Sequence, residues 1–432
     1  MGTVRTDRTP SAVDTVLDNG LRVIAVQRPA VPMVELRMEI PFGGTHRTHA
    51  ARAELLAVTL LSGTRRRDRF DVDRELAAVG GDLHAGVDPE HLSLAGSALA
   101  SGLDVLLDVL GDALTSAAYT ETEVSRERTR LLERITMSRS QPRVIAREAL
   151  QRRRYGDHPA TREWPEAGDV AAVTRDAVRA LHRRSVVPRG AVLVLVGDVA
   201  PDHAVGAVAS ALASWTSDRS ATEMAVLPEL TGADLQLVHR PGAVQSQLRL
   251  SAQALPRTDD RYPALQLANL VFGGYFSSRW VENIREDKGY TYSAHSGMEF
   301  NPYGATLVAD ADTASEATAP ALLETRYELG RFVVVPPEES EVDNARHYAI
   351  GALMIATSSQ RGLAGHLTSL ASRGLDLDWL RAHPGRLQAV TSKQVAEVVA
   401  EFFSPTRFTG VVVGDADRLA GPLAALGGVE LP

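Results

Sequence analysis

LVLVGD, Leu193 to Asp198, returns as GVVVGD at Gly410 to Asp415, about half a chain later. Both are short runs rich in β-branched residues, which fit a buried strand, and both are stopped by Gly-Asp. Each follows a stretch of helical character and a proline-arginine punctuation, at Pro188 and Arg189 in one case and Pro405 to Arg407 in the other. A second echo runs in the same register. The helical run from Ala51 to Leu61 ends at Gly63, and the run from Pro263 to Phe272 ends at Gly273 and Gly274. Two echoes in one order read as a duplicated chain whose halves share one plan. The Gly273–Gly274 pair reads as a helix C-cap, where glycine takes the left-handed backbone without strain.

Inside each half, strands and helices mix. Met33 to Ile40 alternates, with Val34, Leu36, Met38 and Ile40 on one side and Glu35, Arg37 and Glu39 on the other, the pattern of a half-buried strand. HLSLAGSA from His91 has the same period. Helical segments follow at Ser101 to Leu114 and at Glu121 to Met137, the latter opened by a Thr-x-x-Glu pattern at Thr120 and Glu123. Strand runs separated by helices predict α+β halves, each an antiparallel sheet packed with helices. Periodicity fades between Trp215 and Asp234, so the domains are drawn at 1–215 and 234–432 with a linker at 216–233.

Composition narrows the function. At 432 residues, 44% hydrophobic and 23% charged, the chain is globular and long enough for two domains. A net charge of −8 argues against nucleic acid as a general partner. The absence of cysteine excludes disulfides, thiol catalysis and cysteine metal sites, so a metal here would need His, Asp or Glu. The start MGTVRTDRTPSAV lacks the apolar core of a secretory signal, and no stretch approaches the ~18 apolar residues of a membrane span. These features predict a cytoplasmic protein with no membrane association.

Five stretches carry a family resemblance: LDNGLRVIAV (Leu17–Val26), VELRMEIPFGGTHRT (Val34–Thr48), YGDHPA (Tyr155–Ala160), RPGAVQSQLRL (Arg240–Leu250) and FGGYFSSRWVENIREDKGYTYS (Phe272–Ser293). In this order and spacing the chain resembles the pitrilysin and insulinase family of inverted zincins over nearly its whole length. It is most similar to their two-domain, processing-peptidase-like subunits. The resemblance implies the LuxS-like and processing-peptidase-like metallopeptidase fold, with two peptidase-like domains. In that family an H-x-x-E-H helix places two histidines on one face for zinc and a glutamate to activate the bound water, and a later helix adds a glutamate ligand. Here the matching helix reads ELLAVTLLSGT. Glu54 stands at the first histidine, Ala57 at the catalytic glutamate and Val58 at the second histidine. Arg134 stands at the third ligand, with Glu133 one residue off that face.

The N-terminal domain is therefore expected to have lost its zinc site, and this chain to hold no metal and be inactive alone. Glu54 and Arg134 are expected to close into an ion pair in the emptied pocket. His46 and His49, three apart in HRTH, are set aside as ligands because they precede the helix. His84 and His91 read as exposed loop residues, and His158 as a structural hydrogen-bonder. What the resemblance keeps is an arginine and a tyrosine seven residues apart in the second domain, Arg285 and Tyr292. The tyrosine hydroxyl would donate to the oxyanion of a scissile carbonyl, and the guanidinium would hold substrate carbonyls.

This combination implies a noncatalytic, substrate-binding subunit of a heterodimeric zinc metallopeptidase. A homologous partner would carry H-x-x-E-H and the zinc, and Arg285 and Tyr292 would act in trans on a peptide. Two alternatives stand beside it: a structural scaffold subunit, and a peptide-binding module with no role in proteolysis.

Overall fold

The computed structural model describes residues 11–301 and 304–432, so most of the polar amino-terminal stretch read above lies outside the described residues. Among the described residues, twelve strands form two six-stranded sheets. The first holds β1 (Ala12–Val16), β2 (Arg22–Gln27), β3 (Met33–Pro41), β4 (Asp82–Val87), β5 (His91–Leu99) and β6 (Val192–Gly197), in the order β1-β2-β6-β3-β5-β4. The second holds β7 (Leu235–His239), β8 (Gln245–Ala254), β9 (Thr291–Asn301), β10 (Gly304–Ala314), β11 (Thr409–Gly414) and β12 (Val429–Glu430), in the order β12-β7-β11-β8-β10-β9. The two Gly-Asp runs are β6 and β11, third in both orders.

The sheets were expected to be antiparallel and are mixed. β6 pairs parallel with β2 and antiparallel with β3, and β11 pairs parallel with β7 and antiparallel with β8. The reason is geometric: a strand inserted between two oppositely directed strands must run parallel to one of them. Only a long connection can supply such a strand.

β3 shows how the pattern becomes packing. Val34, Leu36, Met38 and Ile40 are fully buried in the first core with Leu55, Leu56 and Leu60 of the helix His49–Leu60. Glu35 and Arg37 face the other way and pair with each other at 3.0 Å. That second face is covered by the helix Gln360–Ala371, whose Arg361 reaches Glu35 at 3.4 Å.

The chain divides into two compact units, and neither is continuous in sequence. One comprises Met1–Thr136, Arg162–Ala225 and Ile355–Asp376, and the other Met137–Thr161, Val226–Met354 and Leu377–Pro432. The stretch between Ala211 and Leu235 has no helix or strand, and the change of unit at 225–226 falls inside it. Two segments cross a purely linear division. The helix Gln360–Ala371 comes from the second half and packs in the first unit. The helix Pro142–Tyr155 comes from the first half and packs in the second, with Ala146 and Leu150 against Val411 and Val413 of β11.

Two consecutive arginines fasten this last helix. Arg153 forms an ion pair with Glu430 of β12 at 2.6 Å. Arg154, with a buried guanidinium, donates to Ser251 Oγ and Thr306 Oγ1 at 3.1 Å each and pairs with Glu299 at 2.7 Å. A buried guanidinium is tolerated only when its donors are used in this way.

Among the described residues no helix is long and apolar enough to cross a membrane.

Candidate functional site

In the first half, the helix His49–Leu60 presents its apolar positions to the core, and the exposure of three of the four positions matched to the zinc site follows from its phase. Ala57 is buried, Val58 packs partly buried against the core, Glu54 is half-buried, and Arg134 on the helix Glu121–Arg139 is exposed. Burial pushes the Glu54 carboxyl above the usual range, and the charge of Arg134 opposes this more weakly. The expected ion pair is not closed: among the described residues the two heads make no direct contact, and Arg134 influences Glu54 only through its field. The exposed guanidinium keeps its water, and following a half-buried carboxylate inward would cost that hydration without a matching set of hydrogen bonds.

The donor set does not fit zinc. One carboxylate, a methyl, an isopropyl and a cation supply a single oxygen where three or four ligands are needed. No step of chemistry runs through a metal on this helix.

The histidines serve structure. His49, buried at the start of the same helix, places Nε2 2.8 Å from the carbonyl oxygen of Phe42, to which it donates, and burial holds its pKa below the ordinary value. His46 Nδ1 accepts from Thr48 N at 3.2 Å, and His158 Nδ1 from Ala160 N at 3.2 Å. His84 is exposed on β4, whereas His91 is buried at the first position of β5. The reading of His91 as an exposed loop residue is therefore corrected: it opens a central strand rather than the turn before it.

A cluster that the sequence reading passed over is His239, Asp415 and Asp417, whose ligand atoms lie within 4.8 Å of one another. The His239 and Asp415 side chains are engaged in local backbone bonds. His239 Nδ1 accepts from Ala416 N at 3.0 Å, and the Asp415 carboxylate accepts from Gly242 N at 3.1 Å and from Asp417 N at 3.2 Å, capping the helix Ala416–Leu426.

The second half is built differently. The helix Tyr262–Asn269 runs into a π-helical turn, Leu270–Gly274, and after a short loop the helix Arg279–Val281 runs into a second, Glu282–Asp287. Such turns widen a helix by one residue and recur at functional sites. Gly273 and Gly274 were expected to cap a helix in the left-handed conformation. Neither has a positive φ, and both lie inside the first π turn. Close approach is what requires them: a Cβ on Gly273 would stand 2.8 Å from Ser296 Oγ and 2.9 Å from Trp280 Cε3.

Fully buried Trp280 stacks on Phe272 with ring centroids 5.5 Å apart and donates to Thr325 Oγ1 at 3.0 Å. Asn283 donates to Glu328 at 2.8 Å and Glu324 at 3.1 Å. These contacts fix the backbone that carries Arg285.

Arg285 is half-buried, with Nε 3.3 Å from Glu286 Oε1 and its guanidinium carbon 4.4 Å from the ring centre of Phe276. Tyr292 lies near the start of β9, the edge strand of its sheet. The β9–β10 register slips there, Ser293 opposing Asp312 while Thr291 opposes Thr313, so Tyr292 is the extra residue of a bulge. Thr291 Oγ1 holds the bulge by donating to Asp312 O at 2.6 Å and accepting from Ser293 N at 3.0 Å. Bulges re-aim side chains. Tyr292 is 95% exposed, and among the described residues its hydroxyl has no partner, whereas Tyr290 packs against the core. Phe276 was the residue sequence reasoning passed over; its only signal was an aromatic following a glycine pair in a loop.

A duplicated α+β fold, with two mixed six-stranded sheets packed with helices and a tyrosine presented at the edge of the second, defines the class to which the chain is compared. Family comparison identifies which. Residues 22–165 match the profile of Insulinase (Peptidase family M16) and residues 172–348 that of the Peptidase M16 inactive domain, and the chain belongs to the peptidase M16 family.

An uncharacterized zinc protease of Mycobacterium leprae is 27% identical over 299 residues, 68% of this chain and 67% of that protein. A protein of Arabidopsis thaliana described as a "probable mitochondrial-processing peptidase subunit beta" is 22% identical over 281 residues, 64% of this chain and 52% of that one. Among solved structures, the peptidase M16 inactive domain from Pseudomonas fluorescens superposes with a TM-score of 0.85 at 21% identity, covering 94% of this chain and 98% of that one. At that identity the likeness concerns the fold.

Proposed function

We propose that this chain is the noncatalytic, substrate-binding subunit of a heterodimeric zinc metallopeptidase that cleaves peptides. A homologous partner carries H-x-x-E-H and the zinc, and this chain supplies Arg285 and Tyr292 in trans. The observation that carries the reading is Tyr292. An aromatic hydroxyl held on a bulge, almost wholly exposed and without a partner in its own chain, contributes nothing to the core and is free to donate to a substrate oxygen. Two further points support it. The residues on the helix His49–Leu60 cannot assemble a metal site, and the Arabidopsis relative is described as one subunit of a processing peptidase.

In this mechanism the partner's metal would polarise the scissile carbonyl and activate water. The residues of this chain position and stabilise. Arg285 N–H groups donate to carbonyls of the bound peptide. The Tyr292 O–H donates to the carbonyl oxygen as it becomes an oxyanion, a bond that strengthens as charge develops.

The test is cleavage of a quenched peptide library by this chain mixed with an H-x-x-E-H paralogue, against each protein alone and against a mixture containing Tyr292→Phe. Activity confined to the wild-type mixture and lost with the phenylalanine is the expected result. Equal cleavage by the paralogue alone would favour the scaffold. Tight peptide capture by this chain with no cleavage in any mixture would favour the binding module.

A further inference from the structure

The loop between the two π-helical segments has a feature that core packing does not explain. Tyr275 is held inward, its ring stacked on Tyr348 at 5.2 Å and 26°, and its carbonyl accepts from both Ser278 Oγ at 2.6 Å and Ser278 N at 3.2 Å. Ser278 is itself buried. With both ends of the turn pinned, Phe276 is turned outward and is 56% exposed. Its ring lies beneath the guanidinium of Arg285, 4.4 Å from Cζ to ring centre.

An arginine at a surface has rotamer freedom that must be given up when it grips a ligand. Here the ring occupies one side of the guanidinium and Glu286 one edge, at 3.3 Å from Nε. The remaining N–H groups are the ones left for a ligand.

We propose that Phe276 is a positioning residue: it holds Arg285, through a cation–π contact, in the conformation that receives peptide carbonyls. This rests on the reading of Arg285 as a substrate-binding group, and it adds a residue that acts through the arginine without touching the reacting atoms. Scattered exposed aromatics are ordinary on protein surfaces. The pinned turn on one side and the overlying guanidinium on the other set this one apart.

The test uses the whole chain and two readouts. The first is the NMR signal of the Arg285 Nε–H group in the protein alone, assigned by its disappearance in Arg285→Gln. An upfield ring-current shift in the wild type, lost in Phe276→Leu and retained in Phe276→Tyr, is the expected result. An unshifted signal overturns the proposal whatever the enzymology shows. The second is a double-mutant cycle in the mixture with the H-x-x-E-H paralogue. Phe276→Leu is expected to raise KM about two- to fivefold with kcat unchanged, the size of an exposed cation–π contact, and to have no further effect in an Arg285→Gln background. An equal loss in both backgrounds, or no loss in either, overturns it. Absence of any cleavage by the wild-type mixture refutes the subunit reading alone, because the NMR arm still decides whether Phe276 holds Arg285.

Discussion

The two halves share one strand order, yet the helix His49–Leu60 of the first and the Arg285–Tyr292 corner of the second have diverged in opposite directions. On the first helix, the positions that the resemblance matches to the catalytic glutamate and the second histidine hold Ala57, buried, and Val58, packed against the core, and both serve packing. In the second half, two π turns and a bulge interrupt regular structure within some twenty residues and leave Tyr292 free. Irregular backbone held in place by buried contacts is where a fold spends stability on something other than itself.

The strongest way to break the comparison is to remove what holds the irregular corner. Trp280→Ala deletes a buried ring stacked on Phe272 and is expected to destabilise the protein by about 3–5 kcal/mol in urea unfolding. A loss below about 1 kcal/mol would mean that the corner is not tied to the core.

Tyr292→Phe is expected to lower the turnover of the two-protein mixture by about a hundredfold, the size of one lost oxyanion donor, with an unchanged melting temperature because the side chain is exposed. A fall in melting temperature alongside activity would return Tyr292 to a structural role.

A pH series separates the halves through buried histidines. His383 in the second half, stacked on both Trp379 and Tyr262, is pushed by burial from 6.5 to about 4. The unfolded chain therefore takes up a proton that the folded chain refuses. Its contribution to stability is complete above pH 6.5 and is lost as pH falls toward 4, at about 1.4 kcal/mol per pH unit. Urea midpoints at pH 7 and pH 5 for wild type and His383→Phe read this, and the variant should show a shallower fall. His182 in the first half, hydrogen-bonded to Tyr119 and to the Leu114 carbonyl, is lowered for the same reason and leaves part of the slope in place.

The smallest effect sharpens the account of the first helix. Because burial raises the Glu54 pKa and no ion pair offsets it, the carboxyl's contribution is present at acid pH and is lost as pH rises through its folded value. Glu54→Gln should be level with wild type near pH 4 and more stable by up to about 1 kcal/mol at pH 8. A loss at pH 8 would restore the ion pair with Arg134.

Much of the fold could be read along the chain because its signals are local. The alternation of β3 has a single physical meaning on a half-buried strand, and the echo of LVLVGD in GVVVGD placed β6 and β11 at matching positions. The parallel pairings could not be read, since periodicity says which face is buried and nothing about which neighbour lies beside it. The glycine pair shows a different failure. Gly273 and Gly274 sit where a cap would, but what leaves no room for a Cβ on Gly273 is Ser296 and Trp280, which folding brings near.

By itself the sequence determined the duplicated α+β plan, the family, and which side chains, Glu54, Ala57, Val58 and Arg134, stand at the positions matched to the zinc site, because these depend on which side chains exist and at what spacing. The tertiary structure alone decided that Glu54 and Arg134 stay apart, that each half lends a helix to the other unit, that Tyr292 stands on a bulge, and that Phe276 lies under Arg285. Each of those depends on distances between residues far apart in the chain, which packing and solvation set and local pattern does not encode.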